Sequence, residues 1–143
     1  MRLPLSFCLL ALLASCSSSR QSQTSNLASS SSRGGTFNIT EISTEDSYGY
    51  TAENPVKVGG QIENGAANER KYLNSLTGPN GEELEYHRLG SCCHFKTANG
   101  IMGTGLLDRY EVKYAGLSKP IIIYINMYDK DELKAPKGFK FKE

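Results

Sequence analysis

The sequence predicts an α+β domain: a small antiparallel sheet of about five strands with one helix packed against it. Three stretches carry that expectation. "LLDRYEVKYAG" alternates, with Tyr110, Val112 and Tyr114 on one parity and Arg109, Glu111 and Lys113 on the other. Such a strand is covered on one face and wetted on the other, as in antiparallel sheets. "KPIIIYINMY" is the most apolar segment of the folded part and is expected to be the central strand. "NGAANERKYLNSLTGPNG" places Glu69, Tyr72, Leu73 and Leu76 at helical spacing, giving one helix of about three turns. A single apolar helical face needs a sheet to bury it.

The remaining elements follow in chain order. "TFNITEIS" (Thr36–Ser43) alternates as a strand, with Phe37 and Ile39 on one side. Pro55 has no N–H to give a ladder, so "VKVGG" is expected at a sheet edge or strand end. Asn64 is placed to cap the helix, and Gly78 with Pro79 to stop it. "PNG" makes a turn, and "ELEYHR" leads as a strand into "GSCCHFKT", with Gly90 expected to break it. "NGIMGTG" is a glycine-rich connection requiring positive φ. "DKDELKAPKGFKFKE" is a charged tail from which Phe139 or Phe141 docks back on the domain.

The N-terminus sets the location. Arg2 precedes an apolar run, Leu3 to Ala14, too short to cross a bilayer as a helix, which takes about 20 residues. The run fits the apolar region of an export signal. It ends in Leu13-Ala14-Ser15-Cys16, which resembles the bacterial lipobox. By that resemblance residues 1–15 are a lipoprotein signal peptide and Cys16 is the lipidated first residue of the mature chain. Several acyl chains anchor a protein stably where one does not. Ser17, rather than aspartate, favours the outer membrane, and the absence of acidic residues between Cys16 and Ile39 favours its periplasmic face. Residues 16–35 form a tether in which nine of the nineteen residues after Cys16 are serine. It holds too little apolar surface to fold alone and spans roughly 24 Å as a flexible coil. Residues 36–143 remain for a single globular domain, enough for one small core.

Charge excludes one class of partner. The chain has 16 Lys+Arg against 15 Asp+Glu, and loss of Arg2 leaves 15 against 15. A neutral domain has no bulk attraction to nucleic acid. The expected partners are the membrane, through the lipid anchor, and an envelope protein. No cofactor is expected beyond the covalent lipid on Cys16, and no catalytic residue or metal site is assigned.

Candidate chemistry gathers at Cys92 and Cys93, the cysteines left once Cys8 departs with the signal and Cys16 is acylated. With His94 and His87 they are the candidate thiol or metal-ligating set. Three readings stay open. In a regular strand neighbouring side chains face opposite ways, which sends Cys93 and Phe95 to the core and Cys92, His94 and Lys96 to solvent. This packing reading is preferred. A bond between neighbours needs unusual geometry, since adjacent Cα atoms lie about 3.8 Å apart, below the usual disulfide range. A metal or nucleophile role is weakly signalled, because His-x4-Cys-Cys-His lacks the short loops that turn paired ligands onto one ion. "GIMGTGLLD" lacks the lysine and following helix of a phosphate loop. "DKDE" lacks the glycine of a calcium loop and is expected to be a solvated turn.

"YGYTAENPVKVGG", "NERKYLNSLTGPNGEELEYHRLGSCCHFKTANG", "GLLDRYEVKY" and "KPIIIYINMYDKDELKAPKGF" together resemble a family of small Bacteroidota lipoproteins over almost all of residues 36–139. "GSCCxFKTxNG", followed by "INMYD" and "APKGF", carries the resemblance; Ile123 stands where leucine is expected. Members often carry the name 2-dehydro-3-deoxyphosphooctonate aldolase, so the resemblance implies either that activity or a shared name without it. The enzyme of that name is a (β/α)8 barrel, typically about 250 residues. It condenses two phosphorylated cytosolic metabolites, and Lys96, Arg109 and Lys113 form no recognisable site for them. A tethered accessory or binding domain is therefore the leading expectation, with the aldolase and a thiol- or metal-handling protein as alternatives.

Overall fold

The computed structural model describes residues 35–59 and 64–142. The expected signal peptide, Cys16 and nearly all of the expected tether lie outside them. The chain runs β1 (Val56–Lys57), α1 (Gly65–Asn74), β2 (Leu76–Thr77), β3 (Glu85–Ile101), β4 (Thr104–Lys113), β5 (Ile121–Asn126) and β6 (Lys140–Phe141). The class is α+β, as expected. The main sheet has four strands in the order β1-β5-β4-β3, and β2 with β6 forms a separate two-stranded ribbon. The sheet is mixed: β1 lies parallel to β5, whereas β3, β4 and β5 are antiparallel.

The most apolar segment became an interior strand. β5 is flanked by β1 and β4, and Ile123 and Ile125 are fully buried. β1 follows Pro55 directly and sits at the edge, where the missing proline N–H disrupts no ladder. The alternation of β4 holds: Tyr110 and Val112 are buried, while Lys113 is exposed. Asp108 shares their parity and is buried as well.

The helix corrects the expectation at both ends. Asn64 precedes it but makes no side-chain capping hydrogen bond. Gly78 and Pro79 do not stop it; Ser75 does. The Ser75 hydroxyl donates to the Lys71 carbonyl at 2.8 Å and accepts from the Phe37 N–H at 2.6 Å. The chain then enters β2, so Leu76 packs from a strand rather than from the helix. Tyr72 and Leu73 are fully buried, and the Tyr72 hydroxyl donates to the Lys134 carbonyl at 2.9 Å.

Residues 36–43 form no strand. One parallel bridge, Ile42 to Ala135, is made there, held by the Ser43 N–H on the Ala135 carbonyl at 2.8 Å and the Ala135 N–H on the Glu41 carbonyl at 2.9 Å. The alternation survives where it matters to the core: Ile39 is buried and Phe37 packs at the rim, with the Lys71 ammonium 4.5 Å from its ring centroid.

β3 is the unusual element. Gly90 does not break it; the strand continues for 17 residues, longer than the usual 3–10. Its register against β4 shifts between Arg88 and Gly90, between Cys92 and His94, and between Lys96 and Ile101. The hairpin closes through Met102 (φ 56°) and Gly103 (φ 77°), the two left-handed residues of a mirror-image turn.

The C-terminal segment docks as expected. Phe139 is 1% exposed, stands edge-on to Tyr114 with ring centroids 5.9 Å apart, and delivers β6 to β2. Phe139→Ala should lower the unfolding free energy by about 3–5 kcal/mol, the usual loss for a buried aromatic ring. Urea denaturation followed by tyrosine fluorescence measures it. A loss under about 1 kcal/mol would mean that the tail is not part of the core.

Candidate functional site

The two proximal register shifts of β3 place one extra residue each. Arg88 faces Tyr110 and Gly90 faces Arg109, so Leu89 is extra; Cys92 faces Leu107 and His94 faces Leu106, so Cys93 is extra. Cys93 has φ 56°, a left-handed conformation that side chains rarely adopt. A bulge of this kind re-aims side chains. Here it cancels the alternation that would send adjacent residues to opposite faces, and Cys92 and Cys93 are joined by a disulfide with Cα atoms 3.8 Å apart.

The preferred packing of this pair is thereby overturned. Cys93 is exposed and Cys92 half-buried, the reverse of the regular-strand expectation. Phe95 is half-buried, edge-on to Tyr128 at 5.9 Å between centroids. The metal-ligating set is not assembled. Both sulfurs are in the disulfide, His94 is exposed, and His87 pairs on the regular part of the ladder with Glu111 at 3.7 Å. Among the described residues no group of three or more His, Cys, Asp or Glu side chains is placed to hold a metal ion.

Beneath the bulge lies a polar cluster. Asp108, 2% exposed, accepts from Arg88 Nε at 2.6 Å and Nη2 at 2.7 Å, and from the Ser91 hydroxyl at 2.7 Å. The forked guanidinium meets both carboxylate oxygens, the strongest geometry for such a pair. Both donors come from β3, one on each side of the first register shift. From the helix, Glu69 reaches the same place with no exposed surface. Its Oε2 accepts from the Tyr110 hydroxyl at 2.8 Å, and its Oε1 has no donor. Asp108 lies close enough for its charge to act on Glu69. An ionised carboxylate is an acceptor only, so an ionised Glu69 would leave Oε1 buried without a donor and beside a second charge. A proton on Glu69 removes one of the two neighbouring buried charges.

The electrostatics agree. Burial pushes the Glu69 carboxyl up to about 8, with the Asp108 charge adding to the rise and the Tyr110 hydrogen bond opposing it. Burial acts on Asp108 in the same direction, but the hydrogen bonds from Arg88 and Ser91 and the Arg88 charge outweigh it and hold Asp108 below its ordinary value. Proximity to the ionisable Glu69 and burial both raise the Tyr110 phenol, burial most. One carboxyl is kept neutral and its neighbour charged, the division that environment imposes on close carboxyl pairs.

A second hub holds the distal arm of β3. Lys96 and Ile101 both face Thr104, which leaves residues 97–100 as an excursion from the ladder. From it Thr97 Oγ1 donates to Asp129 at 2.5 Å and Asn99 Nδ2 at 2.9 Å, while Asn126 Nδ2 donates at 3.0 Å. The "DKDE" stretch is thus more than a solvated turn: Asp129 ties the hairpin tip to the end of β5.

Sequence reasoning singled out the cysteines and missed the carboxyl cluster. Two signals were available. Glu69 is the one charged residue in the helical stripe with Tyr72 and Leu73, and Asp108 lies on the inward parity of β4. No family model, curated protein or solved structure matches the chain.

The carboxyl cluster makes a pH prediction. The folded state holds the Glu69 proton to higher pH than the unfolded chain does, so stability falls as pH rises from near 4.5 to about 8. Glu69→Gln, which keeps the shape and a donor without the charge, should flatten that slope and stabilise the domain relative to wild type above about pH 8. Urea midpoints across this range measure it. Parallel slopes in the two proteins would place Glu69 in an ordinary solvated state.

Proposed function

We propose that this chain is an envelope lipoprotein: a small α+β domain tethered through lipid on Cys16 to the periplasmic face of the outer membrane, serving as a non-enzymatic accessory or binding module for another envelope protein. The observation that best supports this reading is the Cys92–Cys93 disulfide. Disulfides persist in exported proteins and are rare in reducing cytosol, in keeping with the signal peptide and lipobox of the sequence. Among the described residues no helix is long and apolar enough to cross a membrane, so attachment in this reading rests on the lipid.

An aldolase has little to work with here. The domain has a single ten-residue helix among its described residues, against the eight strand–helix units of the barrel enzyme. Its most perturbed carboxyl, Glu69, is sealed from solvent. A second reading, a thiol-handling envelope protein, is favoured by one observation: the disulfide lies at an exposed bulge rather than in the core.

Cys16→Ser should abolish incorporation of labelled palmitate and move the protein from the membrane pellet to the soluble envelope fraction. Retained labelling would remove the anchor from the account. Turnover of phosphoenolpyruvate with arabinose 5-phosphate by the purified protein, above background, would replace the binding-module reading by the enzymatic one.

A further inference from the structure

We propose that Cys92–Cys93 is a thiol–disulfide exchange site that takes two electrons from a dithiol protein, with Cys93 Sγ as the atom attacked. The proposal rests on the thiol-handling reading and goes beyond it by assigning a partner class and a direction of attack.

As a staple this disulfide does almost nothing. A disulfide stabilises a fold chiefly by closing a loop in the unfolded chain, and the effect grows with loop length. Here the sequence separation is one, so the bond joins no distant elements and restrains almost none of the unfolded chain. A staple is not the reason for it.

The disulfide is also open to a partner. β3 is an edge strand, paired within the main sheet to β4 alone. Cys93 is thrown outward by its bulge and is exposed. Small residues precede the pair, and a Cβ placed on Gly90 would meet nothing within 4 Å. The active-site loop of a donor has room to approach.

The two sulfurs are not equivalent. Exchange rates depend on which sulfur is reached and which one leaves. Cys92 is half-buried opposite Leu107, itself 2% exposed, whereas Cys93 faces outward. A donor thiolate therefore meets Cys93 Sγ. The Cys92–Cys93 bond breaks, a donor–Cys93 bond forms, and Cys92 leaves as a thiolate that takes up a proton. The donor's second thiolate then attacks its own sulfur in the mixed disulfide and releases Cys93, which is protonated in turn. The protein gains two electrons and two protons; the donor dithiol becomes a disulfide.

The full-length chain, extracted in detergent without reductant, is incubated with a thioredoxin-type protein whose resolving cysteine is replaced by serine. Fragment sequencing of the trapped adduct then locates the linkage. A dominant adduct on Cys93, with Cys92 free to alkylate, is the expected result. Linkage mainly to Cys92, or no adduct from a chain whose intact mass shows the disulfide present, would overturn the exchange site. An intact mass showing two free thiols before any donor is added would overturn the thiol-handling reading together with it.

Discussion

The burial of two neighbouring carboxyls, Glu69 on the helix and Asp108 on β4, is the constraint on which the arrangement of this domain depends. With both groups ionised, two charges with at most 2% exposure would sit near one another in a small core, one of them on a Glu69 whose Oε1 has no donor. An unpaired buried charge is among the costliest features a fold can carry. With Glu69 protonated, one of the two charges is gone, and the helix, β4 and β3 meet at one cluster. Tyr110 supports Glu69 from the same strand, and Arg88 and Ser91 hold Asp108 from the next. The helix gains a second tie nearby, where the Tyr86 hydroxyl donates to Asn74 Oδ1 at 2.7 Å.

The irregularity of β3 is organised around two aspartates. Asp108 grips the strand at Arg88 and Ser91, spanning the first register shift and ending one residue short of Cys92. Asp129 grips the excursion at Thr97 and Asn99. The segment between the two anchors contains the disulfide bulge. An edge strand this long is an aggregation hazard when it is flat, and bulges are one of the devices that blunt it. The same bulges turn an exposed disulfide outward, so protection of the edge and presentation of Cys93 arise from one deformation.

Much of the architecture was legible where a segment's pattern agrees with its burial. β4 and β5 were readable from parity and apolar content, β1 from Pro55, and Phe139 from an aromatic ring in a charged tail. Misreadings came where tertiary contacts outrank local pattern. Leu76 fits the helical stripe, yet Ser75 ends the helix through a bond to Phe37, which is distant in sequence. Residues 36–43 alternate like a strand but find only one bridge. The parity argument for Cys92 and Cys93 presupposed an unbroken pleat, and a bulge at the second cysteine reverses its conclusion. The carboxyl cluster was hidden for a different reason: its members come from α1, β3 and β4, and no local window holds more than one side of it.

The most direct measurement of the central claim is infrared spectroscopy of the carboxyl carbonyl stretch, recorded at a pH between 4.5 and about 8 for wild type and Glu69→Gln. The buried proton predicts a protonated-acid band in the wild type, shifted in heavy water and absent from the variant. A wild-type spectrum with no such band would contradict the account, leaving Glu69 ionised and the meeting of helix and sheet to be explained another way.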